Sequence, residues 1–394
     1  MDSSAPALRR SGARLLACSG SLIAAIIALT GSAHAADRII LRDLTIIRSS
    51  VASLDPDGVV LSSERTSGGK LVTWDEVESL HVADEKQQAE AERLLSEIGL
   101  PLYRLRVRLE TGDDEGLLEP AGALFPIFRE RRSPTALIVL QALVWGRIAH
   151  GQRASAVEPW LLEFEVLRSR AARLSDIPGA RKPKIDAASA LLAELEPVWF
   201  DAAAAKAALT AAEKSLRSMT EPIPPGATLY VASLALAAGD LARTKTYLQQ
   251  DVDPGSLAST LRHILQAQLD LQSKNAPAAM DRLQKVVLEL EQPGESHETA
   301  RWHLHPLALY WLGRAQLAID KPATQQAGLL TLLRIPALEG NQSPELSAAA
   351  LHEVAQHYAK DAALSGRLRR EIQQQFPSSW HARQLSPTPA GPSR

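Results

Sequence analysis

The chain has 394 residues, 45% of them apolar and only 4% aromatic, with 43 Lys and Arg against 45 Asp and Glu. A formal charge of −2 with no long basic run argues against nucleic acid as the main ligand and against adsorption to anionic lipid. The single cysteine, Cys18, lies near the N-terminus; without it the chain has no disulfide, thiolate nucleophile or thiolate metal ligand.

Arg9, Arg10 and Arg14 form a positive region opposed only by Asp2, and an apolar run from Leu22 to Leu29 follows. Ala33-His34-Ala35 supplies the small-x-small pattern of a signal peptidase site. A secretory signal peptide over residues 1–35 is therefore predicted, cleaved before Ala36, with an extracytoplasmic destination, periplasmic or secreted. The apolar run is too short to span a hydrocarbon layer of roughly 30 Å, and no later stretch is long enough, so no transmembrane segment is expected. Leu15-Leu16-Ala17-Cys18 has the outline of a lipoprotein box, but the apolar run follows the cysteine instead of preceding it. Arg9-Arg10 hints at twin-arginine export, yet Ser11-Gly12-Ala13 does not continue that signal. Cleavage leaves about 359 residues carrying a formal charge of −4, enough for two or three domains or one repeat array.

Residues 37–83 read as a small β-domain. Runs beginning at Arg38, Leu44, Val51, Val59, Leu71 and Ser79 are short and rich in β-branched residues. Asp55-Pro56-Asp57-Gly58 and Ser67-Gly68-Gly69-Lys70 are turns, where Pro presets φ and Gly accepts φ > 0. Trp74 is read as part of this domain's core. The phrase from Asp57 to Leu80 resembles the small SH3-like or Sm-like barrels near the N-termini of some exported bacterial proteins.

From Glu85 the apolar period changes from two to about 3.6. Leu137, Leu140, Val144 and Ile148 share one helical face, as do Leu261, Ile264, Leu265 and Leu269, and again Leu351, Val354, Ala355 and Tyr358. Taking Gly112, Gly151, Gly239, Asn275, Lys321 and Asp361 as turn centres, the steps are 39, 88, 36, 46 and 40 residues. The long step is about two units, and helices over Ile185 to Glu196 and Trp199 to Met219, broken at Glu196-Pro197, are expected to fill it. A unit of roughly 34–46 residues predicts a mainly α chain: a solenoid of helical hairpins over residues 85–385, preceded by the small β-domain. The Pro- and Ser-rich tail 386–394 is expected to be disordered.

These hairpins resemble degenerate tetratricopeptide repeats (TPR). Leu140, Leu143, Gly151 and Ala156 stand about where that motif places large, large, turn and small residues, and Tyr230 to Tyr247 is a second match. Phe376, Pro377, Ser379 and Ala382 are similar to the closing phrase of repeat proteins of the bacterial envelope. No repeat carries the full consensus. The resemblance implies a curved surface that binds protein or peptide.

Motifs for chemistry are near-misses. His352 and His357 resemble the two histidines of a zinc-protease helix, but at i, i+5 they stand about 140° apart and cannot share a metal. His297, His303 and His305 are read as solvent-exposed histidines at a helix start, with a metal site as the lesser reading. There is no G-x-S-x-G after the signal segment, and Gly69-Lys70 is followed by Leu71 where a phosphate loop has Ser or Thr. Trp145, Trp160, Trp199, Trp302, Trp311 and Trp380 are spread at no fixed interval, which suits core packing; Trp380 is the one expected to be exposed. The arginines at 104, 106 and 108 and at 129, 131 and 132 are read as solvated surface.

No catalytic, cofactor-binding or metal-ligating residue is assigned, and no cofactor is expected. The leading expectation is a non-catalytic scaffold or protein–protein interaction module. Its groove would be lined by helices over 137–150, 228–238, 258–272 and 305–318, with Trp145, Arg262, His305 and Trp311 as candidate protein-binding residues. The alternative is an α/α-toroid enzyme acting on polysaccharide. A scaffold predicts an open superhelix with Trp, His and carboxylates dispersed; the enzyme predicts a closed ring that gathers them.

Overall fold

The computed structural model describes residues 37–62, 69–292, 295–340 and 342–386, and of 295–303 the backbone alone. The expected signal peptide with Cys18, turn residues 67 and 68, the side chains of His297, Trp302 and His303, and the tail from 387 on lie outside the described residues.

Six short strands open the chain: β1 (Arg38–Leu41), β2 (Ile46–Arg48), β3 (Val51–Asp55), β4 (Gly58–Leu61), β5 (Lys70–Thr73) and β6 (Val77–His81). They form two antiparallel three-stranded sheets, ordered β2-β1-β6 and β3-β4-β5. Their alternating residues bury Ile39, Val59, Val72 and Val77 around Trp74. The Trp74 indole donates to the Asp55 carbonyl at 2.8 Å, so one side chain fills the core and ties down the Asp55–Gly58 turn.

This region is clamped to the helices by charge. Arg131 reaches Asp55 at 2.6 Å and Asp57 at 2.8 Å, Ser133 Oγ donates to Asp57, and Arg106 meets Asp75 at 2.5 Å. Arg129 pairs with Glu158 and Arg132 with Glu165. The arginines expected to be plain solvated surface thus include the clamps between the two parts. Partners distant in sequence leave no local signal.

The helices are α1 (Glu85–Leu94), α2 (Leu100–Thr111), α3 (Leu118–Phe128), α4 (Pro134–Ala149), α5 (Arg153–Arg168), α6 (Ala202–Ser218), α7 (Pro225–Ala237), α8 (Leu241–Leu248), α9 (Leu257–Gln272), α10 (Ala276–Glu291), α11 (Glu295–Leu317), α12 (Pro322–Glu339), α13 (Pro344–His357), α14 (Ala362–Gln375) and α15 (Trp380–Leu385). Neighbours in sequence pack as hairpins, α4 with α5, α7 with α8, α9 with α10, α11 with α12 and α13 with α14. The first helices of successive hairpins also touch, α7 to α9 to α11 to α13, and so form one continuous layer. Gly112, Gly151 and Gly239 take the left-handed conformation that stops a helix, with φ of 74°, 66° and 79°. Asp240, Asn275 and Asp361 cap the helices that follow, each accepting a backbone N–H from the first turn.

One expected helix is absent. Residues 185–196 carry only two paired dipeptides, β7 (Ile185–Asp186) and β8 (Leu191–Leu192), and otherwise run as irregular chain. Pro183 and Pro197 bracket a stretch too short to be stable alone as a helix, and Ala190 takes a left-handed φ of 65° that interrupts one. The helix expected from Trp199 begins instead at Ala202, capped by Asp201.

Candidate functional site

The inner layer is buried to an unusual depth. Every residue of α4 from Thr135 to Gly146 and of α7 from Gly226 to Leu236 is buried, as is α13 from Glu345 to Leu351. A surface helix keeps one polar face, so a helix buried all round is covered on both sides. What covers α7 is the chain itself.

Residues 185–200 lie along α7 and continue onto α11 and α15. The Ser189 carbonyl rests on Gly226, where an added Cβ would stand only 2.0 Å away. The Tyr230 hydroxyl accepts the Leu192 N–H at 3.1 Å and donates to the Leu195 carbonyl at 2.7 Å. Trp160 donates to the Ala190 carbonyl at 3.1 Å, and Trp199 donates to Ser233 at 2.9 Å. Phe200 then meets Tyr310, His381 and Trp380, with ring centroids 5.7, 4.6 and 6.3 Å apart. Leu191, Leu192, Leu195 and Val198 are buried, each contributing on the order of 1.5–3 kcal/mol.

Arg153, at the start of α5, is the polar anchor. Its guanidinium reaches the Glu194 carbonyl at 3.3 Å and the Glu196 carboxylate at 3.0 Å. Burial pushes the Glu196 carboxyl up, and Arg153 pulls it back only in part. Burial also raises Glu345, whose carboxylate accepts the Trp380 N–H at 3.0 Å.

The last helix of the array returns to the α4–α5 turn here. Arg383 on α15 donates to the Gly151 carbonyl in the α4–α5 turn at 3.0 Å. Between them a cleft of about 340 Å³ is lined by His150, Arg153, Trp199, Asp201, Glu345 and Trp380, among others. The inner face is therefore neither open nor plain, and the dispersal expected of a scaffold does not hold at this point. The two carboxylates on the cleft are both engaged: Asp201 caps α6 through Ala204, and Glu345 holds Trp380.

The four residues predicted as protein contacts do not line this cleft. Trp145 is 2% exposed, with the Arg181 guanidinium 3.9 Å above its ring. In the amide orientation that satisfies both groups, Gln141 accepts from the Trp145 indole at 2.9 Å and donates to Glu163 at 2.6 Å. Arg262 is half-buried and donates to the Gln250 carbonyl at 3.3 Å. His305 is 1% exposed, between Glu291 at 3.4 Å and Glu339 at 3.7 Å. The sequence predicts an exposed histidine at a helix start, but α11 begins ten residues earlier, at Glu295, which puts His305 well inside the packed helix. Trp311 is half-buried beneath Arg314, and its indole N–H meets no acceptor among the described residues. Trp380, expected to be exposed, is half-buried against Phe200 and His381.

The near-miss histidine of α13 also turns inward. The His352 ring lies 4.7 Å from that of His381, and burial, with His352 and Arg314 nearby, drives His381 down to about 3. Burial thus favours the neutral ring at that residue. Among the described residues no group of His, Asp or Glu is arranged to hold a metal ion, and no helix is long and apolar enough to cross a membrane.

Sequence reasoning missed Arg153, Leu195, Glu196 and Phe200. The available signal was the 88-residue step between turns, which holds more chain than α5, α6, α7 and their turns require. No family model matches this chain, and no curated protein or solved structure shows significant similarity to it.

Proposed function

We propose that this is an exported, non-catalytic scaffold of TPR-like hairpins, with an Sm-like or SH3-like N-terminal barrel, that binds an extended stretch of a partner protein. The observation that carries this reading is how the inner face treats residues 185–200. Side chains of α5 and α7 bond the main chain of a hairpin and the turns that follow it, and buried leucines fill the positions between. Main-chain bonding supplies affinity for extended polypeptide and side-chain pockets supply selectivity, the division found in peptide-binding grooves. The mildly acidic surface fits a protein ligand better than nucleic acid.

Cross-linking the mature chain in its native envelope fraction, followed by affinity purification and mass spectrometry, tests the proposal. One or two proteins in near-equal amount with the chain are expected. Recovery of glycan fragments and no protein would contradict it.

A second reading, an α/α enzyme acting on polysaccharide, is favoured by the return of α15 to the α4–α5 turn and the cleft that collects Trp199, Trp380, His150 and Glu345. Hydrolysis of a glycosidic bond needs two carboxyl groups committed to the substrate. Asp201 and Glu345 are committed to the backbone instead, which places this reading second.

A further inference from the structure

We infer that residues 185–200 are a built-in ligand of the repeat face, seated where an extended, leucine-rich and acidic segment of a partner protein binds by displacing them. The inference rests on the scaffold reading above and names the chemistry of the partner.

The seat is built for a main chain. Trp160 and Tyr230 bond backbone groups of Ala190, Leu192 and Leu195, and Arg153 takes the Glu194 carbonyl together with the Glu196 carboxylate. α7 gives way to that chain at Gly226, where any side chain would strike the Ser189 carbonyl. Glycine lowers helix stability, so its place in the second position of a buried helix is explained by the close approach.

The occupant fits less well than the seat. Ala190 is held at φ 65°, the left-handed region that an L-residue with a Cβ enters at a cost. The Arg153 Nε is buried with no acceptor among the described residues, so the segment leaves one donor of its anchor unused. Within the segment, regular pairing is confined to Ile185–Leu192 and Asp186–Leu191. The chain between Arg168, where α5 ends, and residue 185 is tied to the body on its own account, by buried Ala172 and Ile177 and by Arg181 over Trp145, so those contacts do not depend on the segment's staying seated. A competing segment with the order Leu-Leu-x-x-Leu-acid-x-Val meets the same pockets and the same arginine, free of the turn that strains Ala190.

The test uses a full chain in which residues 183–199 are replaced by Gly and Ser at equal length, and a labelled synthetic peptide spanning residues 183–200. Saturable binding to the replaced chain is expected, at least 100-fold tighter than to the intact chain. A peptide carrying Glu196→Lys should bind at least tenfold more weakly. A replaced chain that keeps its helical circular dichroism yet ignores the peptide would overturn the inference, as would equal binding to the intact chain. Should the replacement fail to fold, hydrogen exchange of the intact chain decides. The amides of residues 190–195 should exchange while α7 stays protected, and Gly226→Ala should speed them at least tenfold; exchange of segment and α7 in one step would overturn it. A partner recovered by the intact chain alongside a peptide that fails to bind sinks this inference alone. A peptide that binds while no protein partner is recovered counts against the scaffold reading and leaves the seat standing.

Discussion

Glu163 is a carboxyl group placed wholly inside the packing of α4 and α5, bonded through one oxygen to Gln141 and through the other to no group among the described residues. Burial, reinforced by Glu194, raises it well above the ordinary value of 4.5. The folded chain therefore holds this proton more tightly than the unfolded chain. Its contribution is fully present below the unfolded value and is lost as pH rises through the higher folded one. Glu163→Gln keeps the bond to Gln141 and removes the charge. It should leave stability at pH 4 nearly unchanged and raise it at pH 8 by on the order of 1–3 kcal/mol, read from urea midpoints at the two pH values. At this scale the sequence was legible for apolar residues such as Trp74, whose type alone directs it inward. It was opaque for His305 and Glu163, whose burial depends on neighbours from other helices.

Among elements, the hairpin turns were readable because Gly, Asn and Asp act locally. Gly239 supplies its own φ, and Asp361 caps its own helix. The stretch 185–196 was not, since Ala and Leu favour helix in isolation while its real partners are Trp160, Tyr230 and Arg153. Two substitutions separate these forces. Helix propensity alone says that Gly226→Ala stabilises α7 by up to about 1 kcal/mol. The approach of the Ser189 carbonyl says the opposite, and a lowered urea midpoint is expected. Tyr230→Phe strands the Leu192 N–H and the Leu195 carbonyl in the interior and should cost about 1–3 kcal/mol in the same measurement. An unchanged midpoint for both would mean that the segment rests on α7 without being held by it.

For the whole molecule, the change of period at Glu85 divided the small β region from the helices, and the repeating turns gave the hairpins in series. What no local pattern could give was the return of α15 to the α4–α5 turn, a contact between residues 232 apart. That contact brings the cleft together and makes the inner face a site with a boundary. The account stands on the claim that this face, and not the outer one, receives a partner's extended chain. The most direct test is a photo-cross-linking residue placed at Trp380, on the inner cleft, and in a second chain at Leu330, exposed on α12. A single protein adduct from position 380, mapped to a leucine-rich extended segment and absent from position 330, is the predicted result. A protein adduct from position 330 alone would contradict the account.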